Sequence, residues 1–303
     1  MEKKKAIAIA SRMDSERALK LAKKIFEFLI KKGEVVYLET RIAPRILPHS
    51  GKDLKQMKAD EIKVLISIGG DGTLLRVANG LNQRNPPPIF GVNIGSIGFL
   101  DESNNKTAFK DINKLLSNNY SVETCSKIVA YLVKNNEEVK LSNALNEILI
   151  VSSKNSKVLQ ISVKINGVFL NRSYLDGVII STSIGSTAYN LSAGGAIVSP
   201  NLEVMQLTPL NAFARSGLKP IIVDIDSEIE IKLLRPRLNA RIVIDGQQII
   251  KRIQPNTKIK ICKANSRISF IRLTNPSSNY FKRLRKKIIG TLRNVPINDS
   301  PEE

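Results

Sequence analysis

Histidine is nearly absent. The single His49 excludes any mechanism that needs two histidines. Cysteine is almost as scarce. Cys125 and Cys262 stand far apart with no CxxC spacing, so neither a disulfide framework nor a zinc site is expected. Tryptophan is missing altogether. Beside the richness in Lys, Ile and Asn, that reads as a genome-wide bias in composition. No stretch approaches the ~18 unbroken apolar residues of a membrane span, so no membrane partner is expected. Residues 1–10 hold a short apolar segment that alternates into charges, unlike a secretion signal. The expected location is the cytoplasm. Zinc-finger spacing, the RNP motif, internal repeats and the GxxxxGK[ST] of a Walker-type site are also absent.

What is present suffices for two cores. At ~150 residues per domain, 303 residues suggest about two domains. Hydrophobic residues at 42% and charged residues at 24% exclude a chain disordered throughout. Lys plus Arg number 47 against 27 Asp plus Glu, a net charge of +20. Such an excess suits a polyanionic partner such as nucleic acid or nucleotide. The basic residues are spread along the chain, blocked only at Lys282-Arg283-Leu284-Arg285-Lys286-Lys287. They read better as a solvated, Lys-rich surface, and nucleic acid is not expected as a partner.

The first third alternates strand and helix. Residues 6–10 form a short apolar strand. Asp14 or Ser15 can cap the next helix. Its Ala18, Leu21, Ala22, Ile25, Phe28 and Leu29 recur at helical spacing until Gly33. Residues 35–38 and 64–68 read as strands, the second apolar throughout and suited to burial on both faces. Residues 73–81 read as a helix and 89–92 as a strand. This alternation predicts an α/β domain over 1–120, a parallel sheet with helices on both faces. Short β-type runs then dominate, at 128–133, 148–151, 159–163, 221–223, 229–231 and 242–244. Asn135-Asn136, Asn166-Gly167 and Asp245-Gly246 separate them as turns, and Asn166-Gly167 is a hairpin signal. Residues 121–275 are therefore expected to form a larger, mainly-β domain. Phe281, Leu284 and Ile288 share one face of a helix over 279–290, expected to pack back on the first domain. Residues 296–303 read as a disordered tail.

The most informative segment is Gly69-Gly70-Asp71-Gly72-Thr73, which follows a buried-type strand and opens a helix. Glycines let a backbone turn sharply and approach an anion without Cβ interference. Amides at a helix start favour phosphate. Asp71 is the odd member, since its charge repels phosphate. It makes sense as the acceptor of a proton from an attacking hydroxyl, or as a ligand of Mg²⁺ bridging to phosphate. The plain alternative is a tight turn with an Asp cap. A second segment, residues 176–195, runs from a strand into a Gly/Ser/Thr-rich turn with Tyr189 as a stacking face. Its alternative is a tightly packed strand–helix junction. Asn146-Glu147, before an apolar strand, could hold a ribose or be strand-end polar residues. Residues 93–100 form a further Gly-bearing turn.

These pieces together resemble the NAD kinase family. Gly69-Gly70-Asp71-Gly72-Thr73, the stretch 91–100, Asn146-Glu147, residues 176–195 and Asp245-Gly246-Gln247 look like its motifs, in its order. The resemblance implies transfer of a phosphate to the adenosine ribose 2′-hydroxyl of NAD. It implies ATP or another phosphoryl donor, with Mg²⁺ or another divalent metal, in a cleft between the two domains. It implies Asp71 as general base, with Gly69, Gly70, Gly72 and Thr73 shaping the phosphate turn and Arg76 reaching a phosphate. Asn146, Glu147, Asp176 and Gln247 would contact NAD. Thr187, Ala188, Tyr189, Asn190, Leu191 and Ser192 would line the base-binding pocket, with Lys157 as a further basic contact. A homodimer or homotetramer is implied as well. No residue is assigned as a resident metal ligand.

The chain departs from the family pattern in two places. Ser183-Ile184 stands where the family commonly has Pro-Thr, which removes a stiff φ and a hydroxyl. After Thr208-Pro209, where many members have a His, the run is Leu210-Asn211-Ala212-Phe213-Ala214-Arg215. Two other readings compete. One is a lipid or sugar kinase sharing only the Gly-Gly-Asp-Gly-Thr turn. The other is a non-catalytic, basic nucleotide- or nucleic-acid-binding protein.

Overall fold

Alternating side-chain size lays down the first sheet. In β1 (Ala6–Ser11), Ile7 and Ile9 enter one core cluster while Ala6, Ala8 and Ala10 enter another. The computed structural model describes residues 4–47, 51–95, 98–134, 137–154, 157–213, 217–234, 239–253, 256–274 and 276–289. It sets α1 (Glu16–Lys31) on the isoleucine face. Ser15 caps α1 by accepting the Ala18 amide at 3.3 Å. Gly33, at φ 72°, leaves it through left-handed backbone. Then come β2 (Val36–Glu39), α2 (Ala43–Ile46), β3 (Gly51–Lys52), β4 (Ile62–Gly69), α3 (Asp71–Gly80), β5 (Ile89–Asn93), β6 (Ser103–Asn104) and α4 (Ala108–Leu116). The pairs β1–β2, β1–β4 and β4–β5 are parallel. Helices α1 and α4 cover one face; α3 covers the other through Leu74, Val77 and Ala78. The expected α/β arrangement forms.

The rest is mainly β, as expected. The strands are β7 (Ser121–Lys134), β8 (Glu137–Ala144), β9 (Glu147–Ser152), β10 (Leu159–Ile165), β11 (Val168–Leu175) and β12 (Gly177–Thr182), then, after the short helix α5 (Tyr189–Ser192), β13 (Val204–Leu210), β14 (Ile221–Asp224), β15 (Ile229–Leu233), β16 (Ala240–Ile244), β17 (Gln248–Ile253) and β18 (Lys258–Arg272). The β10–β11 hairpin turns on Asn166 (φ 50°) and Gly167 (φ 78°), and β16–β17 on Asp245 (φ 49°) and Gly246 (φ 66°). Paired left-handed residues match the twist of the strands they join. Asn135-Asn136 lies outside the described residues. Strands β9, β12, β13, β14, β16 and β17 form a separate antiparallel sheet. Its inner face meets the rest over Ile148, Ile150, Ile180, Leu207 and Ile242, against Ile128, Ile161 and Ile261.

The larger sheet is continuous between the two parts. β18 pairs antiparallel with β7 and, at Phe270, parallel with Ile89 of β5. The register breaks between Lys263 and Arg267, a bulge that bends the long strands. Lys127, opposite that break, is fully buried.

The described residues close with α6 (Pro276–Leu284) and a π-helical turn over 285–289. The expected apolar stripe needs correction. Phe281 is 55% exposed, whereas Tyr280 and Leu284 are buried. Those two are four apart and share a helix face. Tyr280 donates its hydroxyl to the Val198 carbonyl at 3.2 Å, and its ring meets Phe99 at 5.9 Å. His49, residues 290–303 and the tail expected to be disordered lie outside the described residues.

Candidate active site

Thr73 packs back on Gly69, the last residue of β4: a Cβ at Gly69 would stand 2.3 Å from Thr73 Oγ1. Gly70 is the N-cap of α3, with extended backbone (φ −140°) that any residue adopts. None of the three glycines has positive φ. Of the two roles expected of the glycines, a sharp turn and an approach free of Cβ, the first does not depend here on left-handed backbone. A Cβ at Gly70 or Gly72 would meet nothing within 4 Å, so these two residues leave open space at the helix start. That space adjoins a cavity of about 350 Å³ lined by Arg12, Arg41, Arg76 and Thr73.

Asp71, in the first turn of α3, accepts hydrogen bonds from the amides of Phe99 (2.9 Å) and Leu100 (3.1 Å). Gly98 lets the loop come this close, since a Cβ there would stand 2.0 Å from Asp71 Oδ1. Asp101 is buried behind them. It accepts from Asn93 Nδ2 at 2.6 Å and leaves Oδ1 unpaired. Burial first, then the Asp71 charge, pushes the Asp101 carboxyl up to about 7. Arg76 is held by the buried carboxylate of Glu39 and by the Ser11 carbonyl at 3.3 Å. Arg12 grips Asp14 through two bonds of 2.7 and 2.8 Å. Hydrogen bonding to Arg12 holds the Asp14 carboxyl down at about 2.

A second centre lies beneath α3. Asp245 accepts the amides of Leu145 (2.9 Å), Asn146 (2.7 Å) and Glu147 (3.1 Å), and Asn79 of α3 donates to it at 2.8 Å. This fixes Asn146 and Glu147 at the start of β9. Glu147 is buried with Oε2 unpaired; burial, then the Asp245 charge, raises it to about 8. Lys127 donates to the Ala78 carbonyl (3.2 Å) and Gln83 Oε1 (3.0 Å). Burial lowers its ammonium to about 8, with the Asp245 charge opposing. Gln247 reaches the Gly72 carbonyl at 3.3 Å.

The Ser/Thr turn packs on the same region. A Cβ at Gly185 would stand 2.1 Å from the Asn146 carbonyl, so only glycine fits. Thr187 and Ile184 line a small cavity with Phe99, Leu100 and Tyr280, which joins this turn to the loop that holds Asp71. Ile184 also packs against the core under α3, an apolar role for a position where the family pattern has a hydroxyl. Tyr189 is exposed; Ala188 and Leu191 are half-buried and Ser192 is exposed. Asn190 is fully buried, bonded to Gln206 and Thr208, and so braces the turn from inside.

The structure thus gathers Gly69–Thr73, Arg76, Asn146, Glu147, Thr187 and Gln247. Two expected contacts stand apart from it. Asp176, bonded by Asn211 at 2.8 Å, sits at the far end of β12. That is five positions, roughly 17 Å of strand rise, from Ser181 beside Glu147. Lys157 is exposed ahead of β10, near the edge of the large sheet. Sequence reasoning missed Asp101, Arg12, Arg41 and Lys287, and it passed over Asp245 in favour of Gln247. For Asp245 a signal existed, an acidic residue at a left-handed turn position. For Asp101 and Lys287 there was none, because only the returning loop and the last helix bring them to Asp71.

The family description "ATP-NAD kinase N-terminal domain" matches residues 7–120, and "ATP-NAD kinase C-terminal domain" matches 145–273. The chain is 32% identical over 285 residues to the NAD kinase of Methanothermobacter thermautotrophicus, covering 93% of this chain and 96% of that one. It is 34% identical over 280 residues to the NAD kinase of Thermococcus gammatolerans, covering 92% and 98%. Among solved structures, an NAD kinase from Archaeoglobus fulgidus in complex with ATP superposes with a TM-score of 0.74 at 28% identity, covering 92% of this chain and 98% of that one. Yeast NADH kinase complexed with NADH shares the fold, with a TM-score of 0.82 at 22% identity, covering 97% and 89%.

Proposed function

The chain belongs to the NAD kinase family, and from that premise we propose that it transfers a phosphate from ATP to the adenosine ribose 2′-hydroxyl of NAD, with Asp71 as general base. The observation that carries the reading is Asp71 itself. It is a partly exposed carboxylate, held by two loop amides, at a helix start where Gly70 and Gly72 leave room for phosphate. A ribose hydroxyl is a poor nucleophile near neutral pH. As its oxygen bonds to the γ-phosphorus of ATP, the bond from that phosphorus to the bridging oxygen breaks and ADP leaves. The hydroxyl proton passes to Asp71. Such help is typically worth ~10²–10⁴-fold. The Gly turn and the cations of Arg12, Arg41 and Arg76 favour the negatively charged donor on the neighbouring side. Asn146 and Glu147 hold the NAD ribose, and the turn bearing Thr187, Ala188 and Tyr189 takes the base. The competing lipid- or sugar-kinase reading shares only the Gly turn, whereas the family match spans both parts of the chain.

Mg²⁺ enters with ATP as part of the substrate, since Mg²⁺ keeps most of its waters and needs few protein ligands when phosphates bind it. Among the described residues no cluster of three or more His, Cys, Asp or Glu side chains could hold a metal ion. No helix among the described residues is long and apolar enough to cross a membrane. A homodimer or homotetramer in the cytoplasm completes the reading; light scattering tests the assembly. The decisive assay is NADP formation from NAD with ATP–Mg²⁺, repeated with polyphosphate as donor. No NADP with either donor would sink the reading.

A further inference from the structure

The C-terminal helix converges on the loop that holds Asp71. Arg283 donates to the Phe99 carbonyl at 2.8 Å and pairs with Glu102 at 3.3 Å. Tyr280 packs its ring on Phe99. In the π-helical turn that follows, the Lys287 ammonium lies 4.8 Å from the Phe99 ring centre and 3.9 Å from Asp71 Oδ2. Phe99 therefore fixes both partners: its amide donates to Asp71, and its ring face carries the ammonium.

We propose that Lys287 is a positioning residue for phosphoryl transfer, an ammonium supplied by the C-terminal helix that aims and charge-balances the Asp71 carboxylate. The proposal rests on the general-base reading of Asp71. It is carried by the crowding of charge around that residue. A Cβ on Gly98 would stand 2.0 Å from Asp71 Oδ1 and 2.7 Å from Asp101 Oδ2, so two carboxyl groups flank one point. Like charges this close oppose each other's ionisation. Burial first and then the Asp71 charge raise the Asp101 carboxyl, and the Asn93 hydrogen bond, Arg283 and Lys287 counter them. Arg283 is engaged with Glu102 and the Phe99 carbonyl, while Lys287 lies within ion-pair range of Asp71. Side chains of Lys287 and Asp71 are each about a third exposed, at 30% and 31%. Both thus stand at the opening rather than in the core. The basic run at 282–287, read from sequence as solvated charge, supplies a group to the reaction centre.

The test uses the full chain and NADP formation from NAD with ATP–Mg²⁺, with Asp71→Asn as the reference. Lys287→Met is expected to lower kcat by ~10–100-fold, as misplacement of a reacting group does. KM for NAD should stay within about twofold, with an unchanged urea midpoint. Lys287→Arg should recover most of the loss. Lys286→Met is expected to keep the wild-type kcat. Wild-type kcat in Lys287→Met overturns the proposal. So does a loss that Lys287→Arg leaves unrecovered, or one that tracks a lowered urea midpoint. Near wild-type turnover in folded Asp71→Asn removes the general-base reading and this inference with it. Loss in Asp71→Asn beside wild-type kcat in Lys287→Met removes the inference alone.

Discussion

Asp71 and Asp245 are both carboxylates fed by backbone amides, yet they are finished in opposite ways. Asp245 receives three successive amides and the Asn79 side chain, and it is buried. An ionised carboxylate offers about four acceptor sites, so Asp245 is filled by the protein. Asp71 receives two amides and its side chain is about a third exposed. The filled carboxylate can only hold structure, in this case the start of β9 against α3. The half-filled one is aimed and still has capacity for a substrate proton. On the general-base reading proposed above, the number of donors that tertiary structure delivers separates a clamp from a base.

The sharpest way to break this comparison is to neutralise each centre in turn. Asp71→Asn should lose ~10²-fold or more in turnover while the fold and most NAD affinity persist. Turnover near wild type would remove the contrast. Asp245→Asn should do the reverse and act on stability. Asn tolerates the left-handed backbone at φ 49°, so the variant tests the hydrogen bonds rather than strain. Loss of one acceptor facing buried N–H groups should cost about 1–3 kcal/mol in urea denaturation. An unchanged midpoint would show that Asp245 is no clamp.

A smaller effect concerns pH. Glu147 is raised from 4.5 to about 8, chiefly by burial. A carboxyl whose folded value is raised contributes stability that is complete below about 4.5 and lost as pH climbs through about 8. The urea midpoint should therefore fall from pH 5 to pH 8, and Glu147→Gln should flatten part of that fall. Asp101, raised to about 7, contributes a slope of the same sign that the variant leaves in place. An identical slope in both proteins would mean that Glu147 is ionised in the fold. The smallest effect is expected at Phe281, which lies 55% exposed on the outer side of α6. Phe281→Ala should change stability by less than ~0.5 kcal/mol. A larger loss would restore Phe281 to the docking face assigned to it from spacing.

Much of the scaffold was legible before any coordinates. The Ser15 cap, the α1 stripe and the Asn166-Gly167 and Asp245-Gly246 hairpins depend on residues a few positions apart, so their signals are local. The Gly-Gly-Asp-Gly-Thr turn was legible for the same reason, although its glycines serve space rather than backbone conformation. In the last helix Leu284 is buried as expected, and only the aromatic beside it differs, Tyr280 in place of Phe281. Phe281 and Tyr280 are adjacent aromatics, and only the presence of Phe99 and Val198 decides which one is buried. The joining of β18 to both β5 and β7 had no local signal, because strand pairing is a choice among distant partners.

By itself, then, the amino-acid sequence determined the elements, the tight turns and the presence of a carboxylate at the start of α3. Those depend on backbone preference and on hydrophobic spacing within one or two turns of chain. Tertiary structure decided what each charge experiences. Asp101 and Lys287 stand beside Asp71, and Lys127 beneath α3, only because a returning loop, a final helix and a bulged strand converge there. Solvation and neighbouring charge govern the chemistry of an ionisable group, and both are set by residues far away along the chain.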